Sequence, residues 1–192
     1  MASAILFLAP GFEEIETTNI VDVLRRCGVE VTIAGTEPPV ISGAHGMRFV
    51  SDILIDESNV EDFEAVICPG GNPGYMNLRK NSRVLAMIKD AFNANKLVAA
   101  ICAAPAVLAD SGILRDRNCT IYPGMESELR KGGGKPRKDL VVEDGNIITS
   151  QGPATALLFA FRIAERLVDK KTIHVVWEKT LSNLVLNEFR HH

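Results

Sequence analysis

Histidine is scarce: the chain has four in 192 residues, and two of them are the terminal pair His191-His192, expected to be a tag remnant. That leaves His45 and His174, far apart and without the paired spacing of a metal site, so no metal and no cofactor is expected. Cysteines stand at 27, 68, 102 and 119, none in Cys-x-x-Cys spacing, which argues against a zinc ribbon or a redox dithiol. The N-terminus has no basic n-region and runs directly into Glu13, Glu14 and Glu16, so it does not read as a signal peptide. Scattered thiols in a chain without a secretion signal suggest a reducing, cytoplasmic compartment. No apolar run reaches the ~18 residues of a membrane span. The longest candidate, 154–168, is interrupted by Arg162, Glu165 and Arg166. A net charge of −3 offers little to a nucleic acid. With no repeat and no linker, residues 1–190 are expected to form one domain burying roughly 70% of its unfolded surface.

What is present is a strand–helix alternation. Ala4 to Ala9, Val29 to Ala34, Ala65 to Cys68 and Leu97 to Ile101 are short apolar runs, as expected of strands buried on both faces. Between them, helical stripes run to Arg26 (Ile15, Ile20, Val23, Leu24) and to Asn95 (Val84, Leu85, Ile88, Ala91). Residues 36–60 suggest a hairpin or excursion, and Cys119 to Tyr122 a short strand. Asp144-Gly145 marks a hairpin between Leu140 to Glu143 and Ile147 to Ser150. A long helix is expected to Leu167 and further helix from Ile173 to Phe189. The fold class is therefore α/β, a mostly parallel sheet with helices on both faces. Arg130 to Lys138 holds five basic residues and Gly132-Gly-Gly134. It reads as a mobile solvated loop, with an anion or nucleic-acid contact the alternative and no aromatic residue interleaved to stack on bases.

The chain turns on Leu97-Val-Ala-Ala-Ile-Cys102-Ala-Ala-Pro105, a buried strand running into a cysteine and then, at once, a helix. The pattern fits a nucleophile elbow with sulfur in place of the serine oxygen. A helix N-terminus beside the sulfur would lower the thiol pKa. A buried core cysteine fits the local pattern equally well. In open α/β sheets the ligand site lies beyond the carboxyl ends of the strands. The first, third and fourth strands end there in Pro10-Gly-Phe-Glu-Glu-Ile-Glu16, Pro69-Gly70-Gly71 and Cys102. Backbone N–H groups near Gly71 and Ala103 are candidates for an oxyanion hole. A protonated glutamate from the first loop would donate to the thiolate and shuttle a proton. Glu13 and Glu14 also suit a first helical turn as acids. His45, in Gly43-Ala-His-Gly46, reads as a surface residue able to reach a site. His174, Cys27, Cys68 and Cys119 read as structural.

Five stretches, in order and with matching spacing, carry a resemblance: Leu8-Ala-Pro-Gly-Phe-Glu-Glu-Ile-Glu16, Val21-Asp-Val-Leu-Arg-Arg26, Pro69-Gly-Gly-Asn72, Ala99-Ala-Ile-Cys102-Ala-Ala-Pro105 and Thr149-Ser-Gln-Gly-Pro153. The chain resembles the ThiJ/PfpI superfamily, in its DJ-one/YajL branch, over essentially the whole domain. The resemblance implies a flavodoxin-like sandwich, a homodimer, and a low-pKa Cys102 whose carboxyl partner is Glu16. Gly70, Gly71 and Ala103 are the candidates around the substrate, and Tyr122, His45 and Arg26 the accessory candidates. The resemblance further implies easy oxidation of Cys102 to sulfinic acid. The activities it implies are conversion of a small dicarbonyl such as methylglyoxal to lactate without glutathione, deglycation of glycated protein, and holdase chaperoning under oxidative stress. The protease-like branch has histidine directly after the cysteine; here Ala103 stands there, so a peptidase is not expected. The DJ-one histidine before the fifth-strand proline is replaced by Tyr122, a poor base with an ordinary pKa near ~10. The His-x-Glu of glutamine amidotransferase relatives is absent.

Overall fold

The computed structural model describes residues 1–37 and 39–188; Phe189 to His192 lie outside it. In chain order the elements begin with β1 (Ser3–Leu8), α1 (Glu14–Arg26) and β2 (Glu30–Gly35). The hairpin β3 (Val40–Ser42) and β4 (Arg48–Val50) follows, then β5 (Ile53–Leu54) and two 3-10 turns. Next are β6 (Ala65–Cys68), α2 (Gly74–Lys80), α3 (Ser82–Asn93), β7 (Leu97–Ile101) and α4 (Pro105–Asp110). The last part holds β8 (Asn118–Cys119), α5 (Glu126–Lys131), β9 (Lys135–Pro136), β10 (Val141–Asp144), β11 (Ile147–Ser150), α6 (Ala156–Leu167), α7 (Lys170–Lys179) and α8 (Ser182–Glu188).

The central sheet has the order β10-β11-β7-β6-β1-β2-β5, parallel except for β10, which runs antiparallel to β11. The continuous apolar strands are explained by burial on both faces. Ala4, Leu6 and Leu8 of β1, Ile67, Ala99 and Ile101 pack on one face with Ile20 and Leu24 of α1 and Phe159 and Ile163 of α6. Ile5, Phe7, Val66, Cys68, Val98 and Ala100 pack on the other with Val84, Met87 and Ile88 of α3 and Val107 and Leu108 of α4. The mostly parallel α/β sheet with helices on both faces, expected from the strand–helix alternation, and the flavodoxin-like sandwich that the resemblance implies are the fold observed. Because β6 lies between β1 and β7, the loops that leave these three strands meet at one edge.

The structure corrects several local expectations. The helix after Cys102 does not start at once: a three-residue turn intervenes, and α4 spans only 6 residues. Pro73-Gly74 opens a helix, α2, that the sequence reading passed over because its apolar stripe is short. The strand expected over Cys119 to Tyr122 is only Asn118–Cys119, and it pairs with β9 in a separate two-stranded sheet. Arg130 to Lys138 is not a plain loop: it holds the end of α5, a glycine turn and β9. Gly134 is buried, and a Cβ there would come within 2.8 Å of Cys119 Sγ. The tail helix breaks at Leu181, which takes φ 58°, into α7 and α8. His174 lies on the surface of α7, its side chain 72% exposed and paired with Glu178. Cys27, Cys68 and Cys119 are buried as expected, and all four cysteines are free thiols.

Candidate active site

Cys102 is the first residue past β7 and sits at φ 62°, in the left-handed region that non-glycine residues rarely enter. Two backbone hydrogen bonds hold the turn. The Cys102 N–H donates to Ser150 O at 2.9 Å, and its carbonyl accepts from Tyr122 N–H at 2.8 Å. The elbow is thereby fixed between the end of β11 and the segment after β8. Ala103 is buried and Ala104 fully so, which leaves no bulk beside the sulfur; Cys102 itself is half-buried. The backbone N–H groups of Ala103 and Gly71 both point at the thiol.

Glu16 reaches the same place from α1. Glu13 caps this helix, its side chain accepting from Glu16 N–H at 2.7 Å. One turn of helix then buries the Glu16 carboxyl completely. Its Oε2 accepts from Gly70 N–H at 2.7 Å, while Oε1 is buried with no aligned partner. The Cys102 thiol is the other side chain within hydrogen-bonding reach of the carboxyl. Gly70 is the hinge of the arrangement. A Cβ there would lie 2.7 Å from Cys102 Cβ and 2.9 Å from Glu16 Oε2, so any side chain would separate the pair. Gly71 is held at φ 92°, and a Cβ there would strike the backbone of Gly11, Phe12 and Glu13. The first and third loops are thus locked together, with Glu13 N–H donating to Gly70 O at 3.1 Å.

Burial raises the Glu16 carboxyl to about 7, against the Gly70 N–H and the thiol contact, which both favour its charged form. A neutral acid with an unpartnered oxygen at that position is a proton donor toward the sulfur. Cys102 does not show the simple depressed thiol expected from a helix N-terminus. Burial, then the charge of an ionised Glu16, push it up to about 12, and the N–H groups of Ala103 and Gly71 oppose them. The two groups behave as a pair over one proton. Thiolate forms when Glu16 holds that proton, not when the carboxylate is ionised beside it.

Of the accessory candidates, Tyr122 touches the elbow through its backbone, and its exposed ring lies against Gly152. His45 meets Glu14, not Glu16. Its N–H donates to Glu14 Oε1 at 2.6 Å and its Nδ1 lies 2.9 Å from Oε2, with the ring 73% exposed and Glu14 buried. This contact holds the β3–β4 turn over the first loop, assisted by Ala44 N–H to Phe12 O at 2.8 Å. As a helix-turn acid Glu14 gives no sign of this role in the sequence; the glycines flanking His45 are the available signal. The ligand atoms of Glu13, Glu14 and His45 lie within 4.8 Å of one another. Each is already committed to a protein partner, so nothing there asks for a metal. Arg26 pairs with Asp22 at the far end of α1, about 15 Å of helix from Glu16, and is not brought to the site within one chain.

The comparisons with known proteins agree with this geometry. Residues 2–166 match the DJ-1/PfpI family. Protein dj-1beta of Drosophila melanogaster is 37% identical over 175 residues, covering 91% of this chain and 94% of that protein. A glutathione-independent glyoxalase of Caenorhabditis elegans, DJR-1.2, is 36% identical over 166 residues, covering 86% of this chain and 88% of its own length. The crystal structure of Drosophila DJ-1beta superposes with a TM-score of 0.88 over 94% of this chain and 97% of that one. An elbow cysteine, a buried first-helix glutamate and a Gly-Gly turn between them, on this sheet and with this similarity, identify the chain as a member of the DJ-1/PfpI family.

Proposed function

We propose that the protein is a cysteine-dependent stress-response enzyme that converts reactive dicarbonyls such as methylglyoxal to hydroxyacids without glutathione. The observation that carries this reading is the buried Glu16 carboxyl, held by Gly70 N–H, beside Cys102 and with one oxygen unpartnered. In the one-proton pair, the Cys102 thiolate adds to the aldehyde carbon and a C–S bond forms. The carbonyl electron pair moves to oxygen, which the N–H groups of Gly71 and Ala103 receive. Glu16 supplies the proton that completes the hemithioacetal. As carboxylate it then removes the C1 hydrogen and returns it at C2, while the C1 hydroxyl proton passes to the C2 oxygen, giving a lactyl thioester. Water cleaves the thioester to lactate and restores the thiol, so the sum is methylglyoxal plus water to lactic acid. Glycated protein is a second substrate class for the same chemistry.

A homodimer is part of the proposal. The hairpin exposes the cross-strand pair Val40 and Val50, and Met47 and Ile15 are exposed beside the Glu14–His45 contact. That apolar surface suits a second copy of the chain. Four free thiols suit a reducing, cytoplasmic setting. Among the described residues no helix is long and apolar enough to cross a membrane.

The test is lactate formation from methylglyoxal, without glutathione, by the wild type and by Cys102→Ser. Turnover in the first and none in the second is the expected result. No turnover by wild-type protein whose thiol is confirmed reduced would remove the enzymatic reading. One observation favours a second role for the same residues. The unpartnered Glu16 Oε1 is placed to donate to an oxygen of oxidised Cys102, which would make the site a redox sensor or the trigger of a holdase chaperone. Peroxide titration with mass spectrometry tests it: sulfinic acid should stop accumulating at Cys102 in Glu16→Ala.

A further inference from the structure

Three basic side chains without an acidic partner surround one cavity beside the elbow. Arg130, Arg137 and Lys138 line it with Ile121, Glu126 and Gln151, and its volume is about 450 Å³. Among the described residues none of the three makes an ion pair. Their basic neighbours do: Lys131 meets Glu128, Lys135 meets Asp116, and Arg79 meets both Asp110 and Glu128. Glu126, the one acid of the lining, accepts from Gly124 N–H at 3.2 Å and feels the charges of Arg130 and Lys138 without forming an ion pair with either. Three cations therefore face the cavity against a single carboxylate.

The walls are fixed by the fold. Arg137 N–H donates to Cys119 O at 2.8 Å, and Thr120 Oγ1 donates to Arg137 O at 3.1 Å. The Gln151 amide donates to Lys138 O at 3.0 Å. Arg137 Nε donates to Asn118 Oδ1 at 2.8 Å, and among the described residues its two terminal nitrogens have no hydrogen-bond partner. Two wall residues sit next in the chain to the elbow's own anchors. Ile121 precedes Tyr122, whose N–H holds Cys102 O, and Gln151 follows Ser150, whose carbonyl holds Cys102 N–H. The cavity and the reactive sulfur thus share the same short stretch of backbone.

We propose that this cavity is an anion subsite that takes the phosphate of a phosphorylated carbonyl compound whose carbonyl group reacts at Cys102. The proposal rests on the reading of Cys102 as a nucleophile toward carbonyls and narrows its substrate class. Two guanidinium groups and an ammonium suit a phosphate, which accepts several charge-assisted hydrogen bonds at once. No aromatic side chain lines the cavity, so it offers no stacking surface to a base. Its volume suits a phosphate with a short carbon chain. The covalent step is simple addition. The thiolate pair forms the C–S bond, the carbonyl π pair moves to oxygen, and Glu16 supplies the proton; nothing is oxidised or reduced.

The experiment compares glyceraldehyde with glyceraldehyde 3-phosphate as protectants of Cys102 against iodoacetamide in the full chain. The phosphorylated aldehyde should protect at about tenfold lower concentration, the effect of one to two charge-assisted contacts. Inorganic phosphate should raise the concentration of it that is needed and leave glyceraldehyde unaffected. In Arg130→Gln/Arg137→Gln/Lys138→Gln, checked for folding by circular dichroism, the two aldehydes should come within twofold of each other. Calorimetric binding of inorganic phosphate should survive Cys102→Ser and be lost in the triple variant. Equal protection by the two aldehydes in wild type, or phosphate binding unchanged in the triple variant, overturns the subsite. Equal protection with methylglyoxal turnover intact removes the subsite alone. Selective protection without methylglyoxal turnover supports the subsite and removes the dicarbonyl isomerase.

Discussion

Replacing Glu16 by Gln isolates the proton that the site shares. In the folded protein the carboxyl is raised from 4.5 to about 7, chiefly by burial. The unfolded chain gives up this proton near the ordinary value. Between the two values the folded state binds more protons than the unfolded, so stability declines as pH rises. It is full below the unfolded value and the cost is complete once pH has passed about 7. The gap corresponds to about 3 kcal/mol, and it belongs to the pair whether the remaining proton sits on oxygen or on sulfur. Gln keeps the volume and the acceptor for Gly70 N–H but has no proton to lose. Urea unfolding at pH 4, 6 and 8 should therefore give nearly parallel behaviour at the acid end, and a variant relatively more stable by up to about 3 kcal/mol at pH 8. The same substitution should slow alkylation of Cys102 at neutral pH. The wild-type rate should inflect near 7, where the pair loses its first proton and sulfur can pass its own to the carboxylate. Gln cannot receive that proton, so the variant should lose the inflection and react only as its thiol ionises at higher pH. Parallel stability curves from pH 4 to 8, with an unchanged alkylation profile, would refute the shared-proton account.

Two further outcomes follow from close contacts. Gly70→Ala places a methyl group 2.7 Å from Cys102 Cβ and 2.9 Å from Glu16 Oε2; it should cost about 1–3 kcal/mol in urea unfolding and shift the alkylation inflection away from 7. Glu14→Ala leaves the backbone N–H of His45 without its buried acceptor; it should cost about 1–3 kcal/mol and speed amide exchange at Ala44 and His45, with the central strands unaffected.

The positions of the core strands were legible because strands buried on both faces must be continuously apolar. Ala4 to Leu8, Ala65 to Cys68 and Leu97 to Ile101 have no other use for that pattern. Asp144-Gly145 likewise marks a hairpin, and β10 and β11 pair there, one residue later than read: Asp144 pairs with Ile147 and the two-residue loop is Gly145-Asn146. Where side chains face solvent the pattern thins. The short helix at Gly74–Lys80 buries only Gly74 and Leu78, too little for a period to register. The basic segment after Glu126 was read as a loop because its anchors are Leu129 alone and backbone bonds to Arg117 and Cys119, which leave no mark in composition.

The site divides along the same line. Cys102 is open on its local pattern between a nucleophile and a core cysteine, and it is the resemblance, with the Gly-Gly turn on the same sheet edge, that selects the nucleophile. Which of three glutamates meets the sulfur does not follow from periodicity. Glu13, Glu14 and Glu16 all lie in or before one helical turn, and all are buried. Their roles separate only when the loops close: Glu13 turns back to cap the helix, Glu14 reaches sideways to the hairpin, and Glu16 points inward to Gly70. The resemblance chose Glu16, and the geometry gives the physical reason. Of the three, only Glu16 carries a carboxyl oxygen that is buried without an aligned partner. That unmet hydrogen bond costs stability in a resting protein, as a buried polar group left unpaired does. It is useful where a proton must pass to sulfur or an oxygen must be received. A sequence lists which groups can hydrogen-bond; it does not show which one the fold leaves unsatisfied, and at this site the unsatisfied group is the one that points to the chemistry.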